Sequence, residues 1–296
     1  MKNSKYILGL LVLVLVYASV GIAAAPSLTY TFKDVKAKGA TETDTYAVNN
    51  AGLIAGDFVD SAGAQHAMIL KGTTPKKIDD KTCGTGAGAA GIAFYGINSA
   101  GNAVGWCTST TSSEPIGLMY IKGKLSEFTV PKALSTEANG INDKGDVVGT
   151  FIDSNGATHG FLLHAKKYTQ IDAPSPDATT AAWSINNKGQ IAVYAVNTAG
   201  GYDAFILTGK KFKKVTDPNV GASGNVAHAI NNLGDLDGTY YDSSGVTHGF
   251  LFHGGKYYSI DDPGGYTRAD GLNDKLVIVG RYSSGTPVGF EATPKK

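Results

Sequence analysis

The sequence predicts an all-β fold: a six-bladed β-propeller of four-stranded antiparallel blades, closed by an N-terminal strand that completes the last blade. Three observations carry this expectation. An asparagine-centred phrase recurs six times, anchored at Asn49, Asn98, Asn142, Asn186, Asn231 and Asn273, at spacings of 49, 44, 44, 45 and 42 residues. Such a period marks one supersecondary unit, too small to bury its own core and dependent on its neighbours. A complete copy holds four short runs rich in β-branched and aromatic residues, separated by glycine-containing turns, which is the content of a propeller blade. Finally, the sixth copy ends after its third run at Gly289-Phe290-Glu291, while residues 28–35 resemble the missing fourth, matching Lys256-Tyr257-Tyr258-Ser259-Ile260-Asp261. Closing the ring this way buries edges that an open array exposes. A β-solenoid is the competing architecture, but its coils are shorter and need no such complementation.

From the N-terminus, Lys2 and Lys5 precede an apolar run over residues 6–20 and a small-residue stretch ending at Ala25, the layout of a secretory signal peptide. Pro26 disfavours cleavage directly after Ala25, so the cut is expected after Ala23 or Ala24. Residues 1–24 are thus read as the signal and 25–296 as a single six-repeat domain. An uncleaved anchor is the alternative, although the run is short for a spanning helix. No second run of that length follows, so the mature chain is expected to be secreted, extracellular or periplasmic, without a membrane span after cleavage.

The third repeat shows the elements most plainly. Residues 139–142 form a short strand, and Asp143-Lys144-Gly145 a hairpin turn closed by a left-handed glycine. Residues 146–152 give a β-branched second strand and Asp153-Ser154-Asn155-Gly156 a second turn. Residues 159–164 and 167–172 give the third and fourth strands, stopped by Pro174. In the second blade the connections are longer: a glycine-rich insertion over 84–91 leads in, and residues 108–114 separate its second and third strands. Both connections emerge on one face, which brings Cys83 towards Cys107. They are either a disulfide, permitted in an exported chain, or Cys107 is a buried free thiol aligned with Phe58, Phe151 and Tyr240.

Composition excludes some functions. The formal net charge is +1 with 17% charged residues and no basic run, so nucleic acid is not an expected partner. Nucleophile elbows, His-Glu-x-x-His and phosphate-binding glycine loops are absent, and neither cofactor nor metal is expected. His66, His159 and His248 begin third strands of alternate blades, too far apart to share an ion at bond lengths of about 2 Å. A local hydrogen bond to a neighbouring turn is expected of each. The turns opening at Asp60, Asp153 and Asp242 lack the alternating oxygen ligands of a calcium loop and read as hairpin chemistry.

The wording of the repeat (Asn-Asn-x-Gly, an apolar pair with Gly, Asp-Ser-x-Gly, His-Gly-Phe-Leu, Ile-Asp-x-Pro) resembles the extracellular HAF repeats, named for a His-Ala-Phe triplet. Here the triplet stands as His66-Ala67-Met68, His159-Gly160-Phe161 and His248-Gly249-Phe250. The other blades depart from it, with Ile116-Gly117-Leu118, Asp203-Ala204-Phe205 and Val288-Gly289-Phe290. The resemblance implies an exported bacterial repeat protein and brings no catalytic residues with it.

Function is sought where the repeats disagree, because such positions are free of the shared structural task. One ring of variable positions is placed at the start of the innermost strands: Tyr46, Tyr95, Asn139, Trp183, His228 and Asp270. A second is placed at the end of the second strands: Asp57, Trp106, Thr150, Tyr194, Thr239 and Arg281. Strand direction puts both on the face with the long loops, and aromatic planes beside polar groups suit a ligand-binding mouth. Asp270 with Arg268, Arg281 and His228 is the one acid–base cluster outside the repeat pattern. The reading is an exported, non-catalytic binding or adhesion module, monomeric, for a polar ligand such as a saccharide or for a surface protein. The alternatives are a structural or assembly protein and a propeller enzyme acting on extracellular carbohydrate.

Overall fold

The six asparagine phrases are the first hairpin turns of six separate sheets. The computed structural model describes residues 28–83, 91–174, 179–283, 285 and 287–295. The expected signal segment and nearly all of the glycine-rich insertion lie outside the described residues. Within them, 24 strands form six four-stranded antiparallel sheets arranged as a propeller, and no helix is long and apolar enough to cross a membrane. The innermost strands are Ala40–Val48, Ile92–Ile97, Ser135–Ile141, Thr180–Ile185, Asn225–Ile230 and Tyr266–Leu272. In the third blade, the innermost strand is longer than the short run expected from sequence. The last sheet takes Tyr30–Val35 as its outer strand, antiparallel to Val288–Pro294, and so closes the ring.

The anchor asparagines recur because each does two jobs. Asn98 Oδ1 accepts the backbone N–H groups of Ala100 and Asn102, holding its turn. Its Nδ2 then donates to the carbonyl of Asn142 in the next blade at 3.1 Å. The same donation runs from Asn142 to Asn186, Asn186 to Asn231, Asn231 to Asn273, Asn273 to Asn49 and Asn49 to Asn98. Six side chains therefore make a closed belt around one end of the axis.

The HAF-like triplet also resolves into separate tasks. Its third residue fills the core between blades: Met68, Leu118, Phe161, Phe250 and Phe290 are fully buried, and Phe205 nearly so. Its middle residue is small because space is lacking; a Cβ on Gly289 would stand 2.8 Å from the carbonyl oxygen of Thr43. Its histidine bridges two aspartates, one in the preceding turn and one ending the fourth strand. His66 lies 3.1 Å from Asp60 and 2.7 Å from Asp79. His159 joins Asp153 and Asp172, and His248 joins Asp242 and Asp261, in the same way. Cys83 and Cys107 are joined as a disulfide across 5.6 Å between Cα atoms, pinning the connection into the second blade.

Candidate functional site

All six residues of the first variable ring occupy one backbone irregularity. In each innermost strand the pairing register with the second strand slips across the ring position: at Tyr46, Tyr95, Asn139, Trp183, His228 and Asp270. A β-bulge inserts an unpaired residue and re-aims its side chain, here towards the axis. These residues therefore sit in the later half of the strand, not at its start as the sequence reading had it. In every blade but the fourth, where Val193 stands, glycine lies opposite: a Cβ on Gly149 would meet the carbonyl oxygen of Glu137 at 2.0 Å. Below the ring, an axial cavity of about 100 Å³ runs down to the asparagine belt.

The second ring lies in mid-strand rather than at the strand end. It pairs with innermost-strand positions two before the bulge: Asp57 with Asp44, Thr150 with Glu137, and Arg281 with Arg268. Asp44 and Glu137 were not singled out from sequence. A lone acidic residue in a strand has an ordinary solvent-facing explanation, and only the register shows that these two belong to the mouth.

The aromatic members of the two rings come together. Tyr95 is the hub: its ring lies 4.4 Å from Tyr46, stacks on Trp183 at 5.6 Å and meets the edge of Trp106 at 6.2 Å. Trp183 in turn stacks on Tyr194 at 6.3 Å and meets His228 edge-on at 5.2 Å. Tyr46 is buried, whereas Tyr95, Trp106, Trp183 and Tyr194 are half-buried. These rings share faces with one another, and what they offer a ligand is the remaining face and edge.

The charged members gather on the sixth and first blades. The two arginines are directly opposite across one sheet, a like-charge pairing that is unfavourable by itself. Arg268 Nε donates to Asp270 Oδ1 at 2.5 Å, and its guanidinium lies 5.6 Å over Trp183. Arg281 lies 5.5 Å over Tyr46 and reaches Asp44 only at 3.4 Å. Both guanidinium groups keep unbonded N–H donors among the described residues. His228 Nδ1 donates to the carbonyl of Ala269 at 2.7 Å. Burial, helped by Arg268, pushes its pKa down to about 4, so the ring is neutral with Nε2 as an acceptor. Burial and the neighbouring Asp44 charge push Asp57 up to about 7. Burial also raises Asp44, opposed by Arg281, and raises Glu137.

The mouth holds buried polar atoms of both kinds without partners. The oxygens Asp44 Oδ1, Asp57 Oδ1, Asn139 Oδ1, Thr239 Oγ1 and Asp270 Oδ2, and the donors Trp106 Nε1 and Trp183 Nε1, are buried with no hydrogen-bond partner among the described residues. Leaving a buried polar group unpaired costs about 1–3 kcal/mol. Of the nine residues expected from sequence to bind, all line this mouth or adjoin it.

No family model and no curated protein matches the sequence, so the HAF resemblance rests on its motif residues alone. Solved structures do match in fold. The chain is similar to TolB of Acinetobacter baumannii, with TM-score 0.57 and 10% identity over 87% of this chain and 65% of that one. It spans only that 65% of the Acinetobacter structure's length. A TolB-designated structure from Agrobacterium tumefaciens aligns with TM-score 0.58 and 12% identity over 91% of this chain and 99% of that one. The Aleuria aurantia lectin, in complex with Fucalpha1-6GlcNAc, aligns with TM-score 0.54 and 11% identity over 89% and 97%. At such identities the likeness is one of fold: a six-bladed β-propeller.

Proposed function

We propose that this chain is an exported, non-catalytic β-propeller of the HAF-repeat type that binds a polar, hydroxyl-rich ligand at its axial mouth. A saccharide, free or carried on a surface protein, fits best. The observation that carries the reading is the set of unpartnered buried polar atoms, five oxygens and the indole N–H groups of Trp106 and Trp183, at the aromatic hub. Acceptors and donors left over together call for a ligand that both donates and accepts, as sugar hydroxyls do, and the indole and arginine N–H groups answer the ligand's own oxygens. Tyrosine and tryptophan supply flat apolar area with a polar edge at small entropic cost. Export is supported by the N-terminal charge-and-apolar pattern and by the Cys83–Cys107 disulfide. One observation favours a second reading, an enzyme on extracellular carbohydrate: Asp57, pushed up to about 7, stands opposite Asp44 in a strand pair.

A glycan array with the wild-type chain, Trp106→Ala and Arg281→Ala tests the proposal. We expect saccharide binding that weakens about tenfold or more in Trp106→Ala, the worth of one buried aromatic contact. Affinity for a neutral glycan should change little between low and high salt, since stacking carries no charge. Absence of binding to any glycan overturns the proposal in favour of an assembly role. Release of reducing ends from a bound glycan moves it to the enzyme class.

A further inference from the structure

The aromatic hub does not end at the axis. Tyr194 continues to Tyr202 at 5.8 Å, and Tyr202 stacks on Tyr241 at 6.1 Å. With the Trp183–Tyr194 step of 6.3 Å, the rings form a track from the mouth outwards over the seam between the fourth and fifth blades. Tyr194, Tyr202 and Tyr241 are all half-buried, and the hydroxyls of Tyr202 and Tyr241 have no protein partner among the described residues.

The outer two tyrosines are held by backbone bonds at the seam. The one from Tyr202 to Ser223 has no counterpart in another blade among the described residues, whereas the one from Tyr241 to Gly224 recurs as Thr108 to Gly91 and Val196 to Thr179. The chain between the fourth and fifth blades folds back across the seam. Tyr202 N–H donates to Ser223, Gly221 N–H donates to the carbonyl of Tyr241, and Tyr241 N–H donates to Gly224. Only glycine permits this approach: Gly224 has φ +76°, and a Cβ there would stand 1.9 Å from the carbonyl oxygen of Tyr202. Cβ atoms on Gly221 and Gly201 would likewise collide with backbone of the facing segment. The strand ends that carry both rings are thus tied together through backbone, across two blades.

We propose that the ligand is an extended oligosaccharide whose chain runs from the axial mouth out along Tyr194, Tyr202 and Tyr241. This rests on the saccharide reading of the mouth and adds its length and direction. The track is built of tyrosines rather than aliphatic side chains, so each step offers an aromatic surface and a free hydroxyl, which matches the alternation of C–H faces and hydroxyls along a sugar chain. Arg268 stands at the junction, over Trp183 and near enough for its charge to act on the hydroxyls of Tyr194 and Tyr241. It would engage the ring that leaves the mouth.

The test is titration calorimetry with chitin-, xylan- and starch-derived oligosaccharides of one to six residues, chosen together with any series that the array detects. In the series that binds, affinity should rise at least tenfold from monomer to tetramer. Tyr202→Ala and Tyr241→Ala should remove that gain while leaving monomer affinity within twofold, and Trp106→Ala should weaken every length. Melting curves of the variants confirm that they fold. Equal affinity for monomer and hexamer, unchanged by either tyrosine substitution, overturns the track and leaves the mouth standing. A tyrosine substitution that weakens monomer and tetramer alike also overturns it, by placing that ring within the mouth. No binding by any series overturns both readings.

Discussion

Asp57 and His228 lie in the same mouth and are displaced in opposite senses, so their titrations oppose each other. Asp57, up to about 7 when folded against an unfolded value of about 3.9, contributes stability that is present below pH 4 and lost as pH rises through 7. His228, down to about 4 from 6.5, contributes stability that is present above pH 6.5 and lost as pH falls through 4. Between those limits the two slopes partly cancel. Asp57→Asn removes one of them while keeping an acceptor for Gln65, which donates to Oδ2 at 2.7 Å. At about 1.4 kcal/mol per pKa unit, relief of about 2–4 kcal/mol is expected at pH 8 and almost none at pH 4. Thermal melts across that range check it; an equal effect at both ends would show that the Asp57 pKa is the same in the folded and unfolded protein. In the sequence, Asp57 stood out only because its equivalents in other blades differ. Nothing local there marks its cross-strand partner Asp44, whose charge supplies part of the shift.

At the scale of one element, the asparagine hairpin joins turn chemistry to blade packing, and the two can be separated experimentally. Asn98→Asp keeps an oxygen for the N–H groups of Ala100 and Asn102 but loses the Nδ2 donated to Asn142. Asn98→Ala loses all three bonds. Each buried group left unpaired costs about 1–3 kcal/mol, so the aspartate variant should already melt lower and the alanine variant lower again. An aspartate variant as stable as wild type would reduce the belt to a by-product of the turns. The turn itself was legible: Asn before, Gly after, and a left-handed Gly145 with φ +81° as expected. The belt was not, because a period says which residues recur and not which atoms of neighbouring blades they face. The bulges were hidden for a related reason. An extra residue in one strand is visible only against its partner's register, and without it the ring positions were placed too early in the strand.

For the whole molecule, the decisive contact joins the two ends of the chain. Tyr30–Val35 pairs along Val288–Pro294 from Tyr30–Pro294 to Val35–Gly289. Phe32 meets the fully buried Phe290 edge-on at 5.4 Å within the sixth blade, and the belt bond from Asn273 to Asn49 ties that blade to the first at the axis. Closure was foreseeable because a missing strand at one terminus and a spare one at the other can be counted in the sequence. What the closed ring serves was less so, since six nearly equivalent blades leave function to the few positions where they differ. Deleting residues 28–35 unpairs the edge of Val288–Pro294 and uncovers Phe290, creating a strand edge open to a second chain. The axial bond remains, so the ring should persist but loosen, with a lower melting temperature and concentration-dependent aggregation. Phe32→Ala keeps the backbone pairing and removes only half-buried ring contact, for a loss of about 2 kcal/mol and, in a domain of this size, a fall of roughly 5 °C. Light scattering and thermal melts on both variants separate edge protection from packing. A deletion variant that stays monodisperse and melts with the wild type would mean that the asparagine belt closes the ring without the terminal strand.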